Sequence, residues 1–368
     1  MSLSNQSLTA LALQKFRRNF WGVFSFVFIA VLVFISIFGY FLAPDTTQYA
    51  NWGDLAIRSK EPGFKVTLLQ VPLENQPESH WYDYFTGHPE TVMQKPINSY
   101  KIANDSLYFD EYSEDKSIVI SDKIPLSAFG KAVDNKTIEK EFISQKKFLL
   151  GTDNQGRDLL SRLIIGSRVS IAIGFVAVLI SLVVGIFFGA LAGYYGGKID
   201  AMVMWLINVI WSIPTLLLVI AITLALGKGF WQVFVAVGLT MWVEVARVVR
   251  GQVMGIKEMQ YVTAARALGY TNSRIIFHHI LPNSMAPVIV ISAANFASAI
   301  LVESGLSFLG LGAQLPVPSW GAMIKDNYNY IILGKPYLAI IPGVAMLLLV
   351  LAFMMIGNAL RDALDVKT

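Results

Sequence analysis

The sequence predicts an all-α polytopic membrane protein with about six transmembrane helices and a small, partly β external insert. Three observations carry this expectation. The 368 residues are 55% hydrophobic and only 15% charged, with a mean hydropathy of +0.55, which is too apolar for a soluble chain of this size. Apolar runs close to the ~20 residues that cross the hydrocarbon recur along the chain. Between residues 44 and 147 these runs stop, and Tyr, Trp, Asp, Glu, Lys and Pro take their place.

The first run, residues 20–43, follows Lys15, Phe16, Arg17 and Arg18. A signal-peptide core holds roughly 15 apolar residues at most, so the length predicts an uncleaved first spanning helix. Further runs cover 170–194, 201–226, 230–249, 286–302 and 338–356. An even number of spans puts both termini on one side, and Lys15, Arg17, Arg18, Lys198, Arg247, Arg250, Lys257, Arg266 and Arg274 mark that side as cytoplasmic. Arg157, Arg162 and Arg168 run against this bias, but they end a long translocated segment, where the bias is weak.

The external segment has strand-like content at 64–69 and 117–120, punctuated as turns by Asn51, Gly53, Pro62, Gly63 and Pro72. Its aromatic content is high for a disordered loop. The chain thus divides into a cytoplasmic N-terminus with the first helix (1–43), an external insert (44–147) and a core of five further helices (148–368) with a cytoplasmic loop at 257–283. At the start of the core, Asp153 or Asn154 is expected to cap a helix beginning near Leu159.

Several chemistries are excluded. There is no cysteine, hence no disulfide, thiolate metal site or cysteine nucleophile. The net charge of +4 is scattered around apolar runs and forms no stripe for nucleic acid. The stretch from Gly193 to Ile199 lacks the glycine spacing and the Ser or Thr after lysine of a phosphate loop. His278 and His279 are adjacent and diverge by about 100° on a helix, while His80 and His88 read as surface residues of the insert. No catalytic and no metal-ligating set is expected.

Within the spans, Glu244 and Glu303 are the ionisable groups, with Asn208 and Ser212 as polar company. Such groups face a wet cavity or a partner, or reach the interface from near a helix end. Glu244 is a turn from Arg247 and Arg250, so an intrahelical ion pair is the simpler expectation. Pro214 interrupts the third helix and can widen a passage, and Gly185 with Gly189 permits close helix approach. Asn208, Ser212, Pro214 and Glu303 are the candidates for a translocation pathway.

In the cytoplasmic loop, Tyr261, Ala264, Ala265 and Leu268 recur at helical spacing, and Gly269 can supply a left-handed stop before a second helix. Periodicity alone favours an amphipathic helix packed on its own membrane domain. The spacing says more. Thr263-Ala264-Ala265, then Gly269, then Leu281-Pro282 resembles the loop signature of permease subunits from binding-protein-dependent ABC importers. The stretches 148–162, 192–197, 306–312, 318–321 and 360–365 resemble the second permease of the dipeptide and oligopeptide branch. The resemblance covers nearly the whole chain outside the insert. It departs at Thr263, where the family has an acidic residue, and before Leu281, where the usual apolar residue is displaced and His279 stands two positions ahead.

The resemblance implies the type I ABC importer permease fold in the inner (plasma) membrane. Thr263, Ala264, Ala265, Gly269, Leu281 and Pro282 would dock to an ATPase. A salt bridge from position 263 is not implied. The implied partners are a homologous permease in a heterodimer, two cytoplasmic ATPase subunits and an external solute-binding protein, besides membrane lipid. ATP and magnesium would sit on the ATPase subunits, and this chain would bind no cofactor. Peptide is the expected cargo. Relatives that import nickel complexes, peptide antibiotics or glycosides share these signatures, and an ion-coupled carrier is the alternative of a different class.

Overall fold

The computed structural model describes residues 8–73, 76–115, 117–130, 134–227 and 229–364. Asp365, the last residue of the 360–365 stretch, lies outside them. Two helices open the chain, α1 (Leu8–Arg18) and α2 (Phe20–Ile37), and Asn19 between them caps α2 by accepting a hydrogen bond from the Gly22 N–H. The core follows as α3 (Leu159–Tyr195), α4 (Gly197–Trp211), α5 (Thr215–Leu226), α6 (Phe230–Ile256), α7 (Gln260–Ala267), α8 (Leu281–Phe308), α9 (Trp320–Asn327) and α10 (Tyr337–Leu364). Among the described residues five helices are long and apolar enough to span a membrane, or six if α4 and α5 count as one bent span.

The bend is sharper than a kink. α4 and α5 meet at 94°, because Pro214 brings no N–H and forces the residue before it out of the helical region. The single span expected over 201–226 is therefore two short helices. The second span expected at 170–194 is longer than anticipated: α3 runs 37 residues, about 55 Å, so its first turns stand outside the hydrocarbon. Its cap is Asp158, which accepts from the Ser161 N–H at 3.0 Å. Asp153 is already engaged by the N–H groups of Gln155 and Arg157, which is why it does not cap the helix.

α3 packs along α6 with glycine at every fourth position of the seam. A Cβ on Gly185 would lie 2.5 Å from the Val245 Cβ, one on Gly189 2.5 Å from the Ala246 carbonyl oxygen, and one on Gly193 2.8 Å from the Arg250 carbonyl oxygen. Two of these obstacles are backbone, so no rotamer change relieves them. Gly189→Leu is expected to force the helices apart at a cost of about 1–3 kcal/mol. A lowered thermal midpoint of the detergent-solubilised protein checks this, with Gly251→Leu, where a Cβ meets nothing within 4 Å, as the control.

The insert is a five-stranded antiparallel sheet in the order β4-β3-β2-β1-β5, made of β1 (Phe64–Pro72), β2 (Val92–Ala103), β3 (Ser106–Glu111), β4 (Ser121–Pro125) and β5 (Ile143–Phe148). Both faces of β1 are covered, as alternation requires. Val66 and Leu68 pack with Trp52, Ile57 and Phe148, while Leu69 packs with Ile97, Leu107, Phe109 and Phe129. The strand expected at 117–120 is not formed. Asp115 closes a turn by accepting from the Ser117 N–H, leaving Ile118, Val119 and Ile120 exposed, and pairing starts at Ser121.

Candidate functional site

Residues 259–283 build a two-faced hairpin at the end of α6. α7 ends in a left-handed turn: Gly269 has φ +78°, its N–H reaches the Arg266 carbonyl, and the Tyr270 N–H reaches back to the Ala265 carbonyl at 3.2 Å. A short helix, Asn272–Ile275, then widens into a π turn over Ile276–Ile280 before α8. Pro282 explains the widening, since it has no N–H for the His278 carbonyl and its ring would clash with that carbonyl in a regular helix. Asn283 ties the parts together, donating to the His279 carbonyl at 2.7 Å and to the Tyr261 hydroxyl at 3.3 Å.

The small residues do not share one face. Val262 and Ala265 turn inward and pack with Val249 and Val253 of α6 and with Ile275, Ile276 and Ile280. Tyr261, Ala264 and Leu268 point outward, with Leu268 73% exposed, and Phe277 of the π turn is 66% exposed. Thr263, Gly269 and Pro282 are also exposed, whereas Leu281 is half-buried against the hairpin interior. The hairpin is thus fastened to the membrane helices by one apolar face and presents another. His279 is half-buried, stacked on the Tyr270 ring, and His278 is exposed.

The pathway candidates separate into two places. Asn208, Ser212 and Pro214 sit at the break between α4 and α5, where the Ser212 Oγ donates to the Val209 carbonyl at 2.7 Å. Glu303 is elsewhere. It is fully buried, and one carboxylate oxygen accepts from the Ser307 hydroxyl at 2.7 Å and from the Ser319 hydroxyl at 3.0 Å. Ser319 also caps α9 by accepting from the Ala322 N–H. The stretches at 306–312 and 318–321 therefore meet around this carboxylate, and the buried Glu303 fastens the loop between them. The Trp320 indole N–H, donating to the Leu163 carbonyl at 2.9 Å, anchors the same loop to α3.

A buried charge cluster joins insert and core. The Asp153 carboxylate takes Arg157 Nε at 2.7 Å and faces Arg162 Nε at 3.6 Å. Arg157 donates on to the Asn51 side chain at 3.2 Å, and Lys335 and Tyr337 donate to the Ser59 and Lys60 carbonyls. Nearby, burial raises the pKa of Asp326, against the pull of Lys325, Arg157 and Arg162. Lys60 Nζ reaches Glu114 at 2.8 Å, and that hydrogen bond holds the Glu114 carboxyl below the usual carboxylate range. Sequence spacing missed this joint because its members lie on four separate segments.

Among the described residues no three His, Asp or Glu side chains gather as metal ligands. The arrangement offers a bundle of long apolar helices with an exposed apolar face on the 259–283 hairpin and a sheet domain clamped to the core. Residues 185–368 match the family model of the binding-protein-dependent transport system inner membrane component. Residues 7–60 match the N-terminal TM domain of oligopeptide transport permease C. The chain is 43% identical over 217 residues to the dipeptide transport system permease protein DppC of Alkalihalophilus pseudofirmus, covering 59% of this chain and 71% of that one. It is 41% identical over 218 residues to the glutathione transport system permease protein GsiD of Pectobacterium atrosepticum, covering 59% and 72%. A solved inward-facing structure of the MetNI methionine ABC transporter aligns at 19% identity and a TM-score of 0.46 over 55% of this chain and 96% of that one. This multi-pass membrane chain belongs to the family of inner-membrane components of binding-protein-dependent transport systems.

Proposed function

We propose that this chain is the peptide-passing permease subunit of an ATP-driven importer. It pairs with a homologous permease, receives peptide from an external solute-binding protein, and is opened and closed by two cytoplasmic ATPase subunits. ATP and magnesium reside on those subunits, and this chain binds no cofactor and performs no catalysis. Both termini are cytoplasmic. Residues 44–147 form the external domain, and Asn208, Ser212 and Pro214 border the passage. Peptide as cargo is supported by the relatives, which are named for dipeptide and glutathione transport.

The observation that carries this reading is the second, outward apolar face of the 259–283 hairpin. A loop packed only on its own domain needs one apolar face, and Ala264 and Leu268 lie on another. Small and apolar residues in that position suit a groove on a second protein, entered by a short helix. Thr263, Ala264, Ala265, Gly269, Leu281 and Pro282 form the docking element, with Ala265 and Leu281 holding it from within.

Affinity purification from the native membrane in mild detergent tests the assembly. A second permease and ATPase subunits are expected to accompany the chain. Recovery of the chain alone, or only with copies of itself, would contradict ATP coupling.

A further inference from the structure

Glu244 stands fourteen residues from one end of the 27-residue helix α6 and twelve from the other. That is about 20 Å from either end of the helix. The ion pair expected for it is not made. Arg250 is held by Asp200, with Nε and Nη2 at 2.5 and 2.6 Å from its two carboxylate oxygens. Arg247 lies on the Trp211 ring, 3.5 Å from its centroid. Among the described residues Glu244 has no hydrogen bond or ion pair, and its side chain is exposed.

The side chain lines a cavity of about 210 Å³ between α6, α8 and the break that joins α4 to α5. Thr240, Thr215 and Ser298 add hydroxyls to its wall, and Trp211, Ile213 and Met241 add apolar surface. An ionised carboxylate facing lipid is disfavoured, so such a group within a spanning helix opens onto water, a partner or a passing ligand. The cavity meets the candidate passage at Trp211 and Ile213, which flank Ser212 next to Pro214.

We propose that this cavity is a transient binding site for the α-ammonium group of a peptide in passage, with Glu244 as its counter-ion. The proposal rests on the peptide-importer reading. Every unblocked peptide carries that ammonium whatever its side chains, so one carboxylate serves cargoes that differ elsewhere. The surrounding hydroxyls accept its remaining hydrogen bonds. The apolar wall takes side chains without selecting among them. Selection stays with the binding protein, and Glu244 lowers the barrier along the passage.

Cells whose own copy is replaced by Glu244→Gln or Glu244→Asp are given a library of free di- to pentapeptides, with uptake read by mass spectrometry and ATPase activity read on the purified complex. Glu244→Gln is expected to slow uptake by about tenfold or more with ATPase activity kept, and Glu244→Asp to stay within about threefold of wild type. Wild-type uptake in Glu244→Gln overturns the site. Loss of ATPase activity together with uptake also overturns it, since Glu244 would then hold the assembly, for instance against a cation of the partner permease. Wild-type cells that import none of the library contradict the peptide reading, and the ammonium assignment falls with it.

Discussion

Gly269→Pro is expected to abolish uptake and to strip the ATPase subunits from the purified complex, while leaving the chain folded in the membrane. Gly269 has φ +78°, a conformation proline is barred from, and its N–H bonds to the Arg266 carbonyl, which proline removes. The turn that ends α7 then opens, and Ala264 and Leu268 lose their fixed orientation relative to Phe277. The bundle itself should survive, because a Cβ at 269 meets nothing within 4 Å and Val262 and Ala265 still pack inward. Gly269→Ala separates conformation from packing: it keeps the N–H and adds strain of about 1–2 kcal/mol, so partial docking remains. Co-purification of the ATPase subunits for both variants checks the prediction.

The second large effect is expected at Asp153. Its carboxylate is 3% exposed and serves Arg157 and Arg162, each also 3% exposed. Asp153→Ala leaves two buried guanidinium groups without their shared anion, a loss of about 3–5 kcal/mol. It also removes the acceptor for the Gln155 and Arg157 N–H groups, so the turn into α3 loosens. The damage should stay at the joint: the sheet has its own core around Leu69, Leu107 and Phe109. Limited proteolysis is expected to cut within 149–158 in the variant and not in wild type, with the insert left intact on the N-terminal fragment. Asp153→Asn keeps an acceptor without the charge and should fall between the two.

The membrane helices were legible because hydrocarbon imposes a length and a composition that a single run displays, and the loop was legible because glycine and proline fix its turns locally. The partners of polar groups were not. Spacing joined Glu244 to Arg247 and Arg250, yet Arg250 turns to Asp200 at the start of α4 and Arg247 to Trp211 at its end. Spacing made Asp153 a cap, whereas the two arginines and its own turn had the stronger claim on it. The four apolar and small residues of α7 read as one stripe, and tertiary packing divided them, drawing Ala265 inward beside Val262. The strand-like residues 117–120 were held out of the sheet by the Asp115 turn, a side-chain effect that β propensity does not register.

A photo-crosslink from the outward face of α7 tests the central claim most directly. The chain has no cysteine, so Leu268→Cys labelled with benzophenone maleimide reports from one defined point, and Tyr100→Cys on the sheet of the insert serves as the control. In native membranes, irradiation should join Leu268→Cys to an ATPase subunit, with the adduct absent from the control and altered in yield by ATP. Adducts confined to lipid or to this chain itself would contradict the docking of this face on an ATPase, and with it the importer reading.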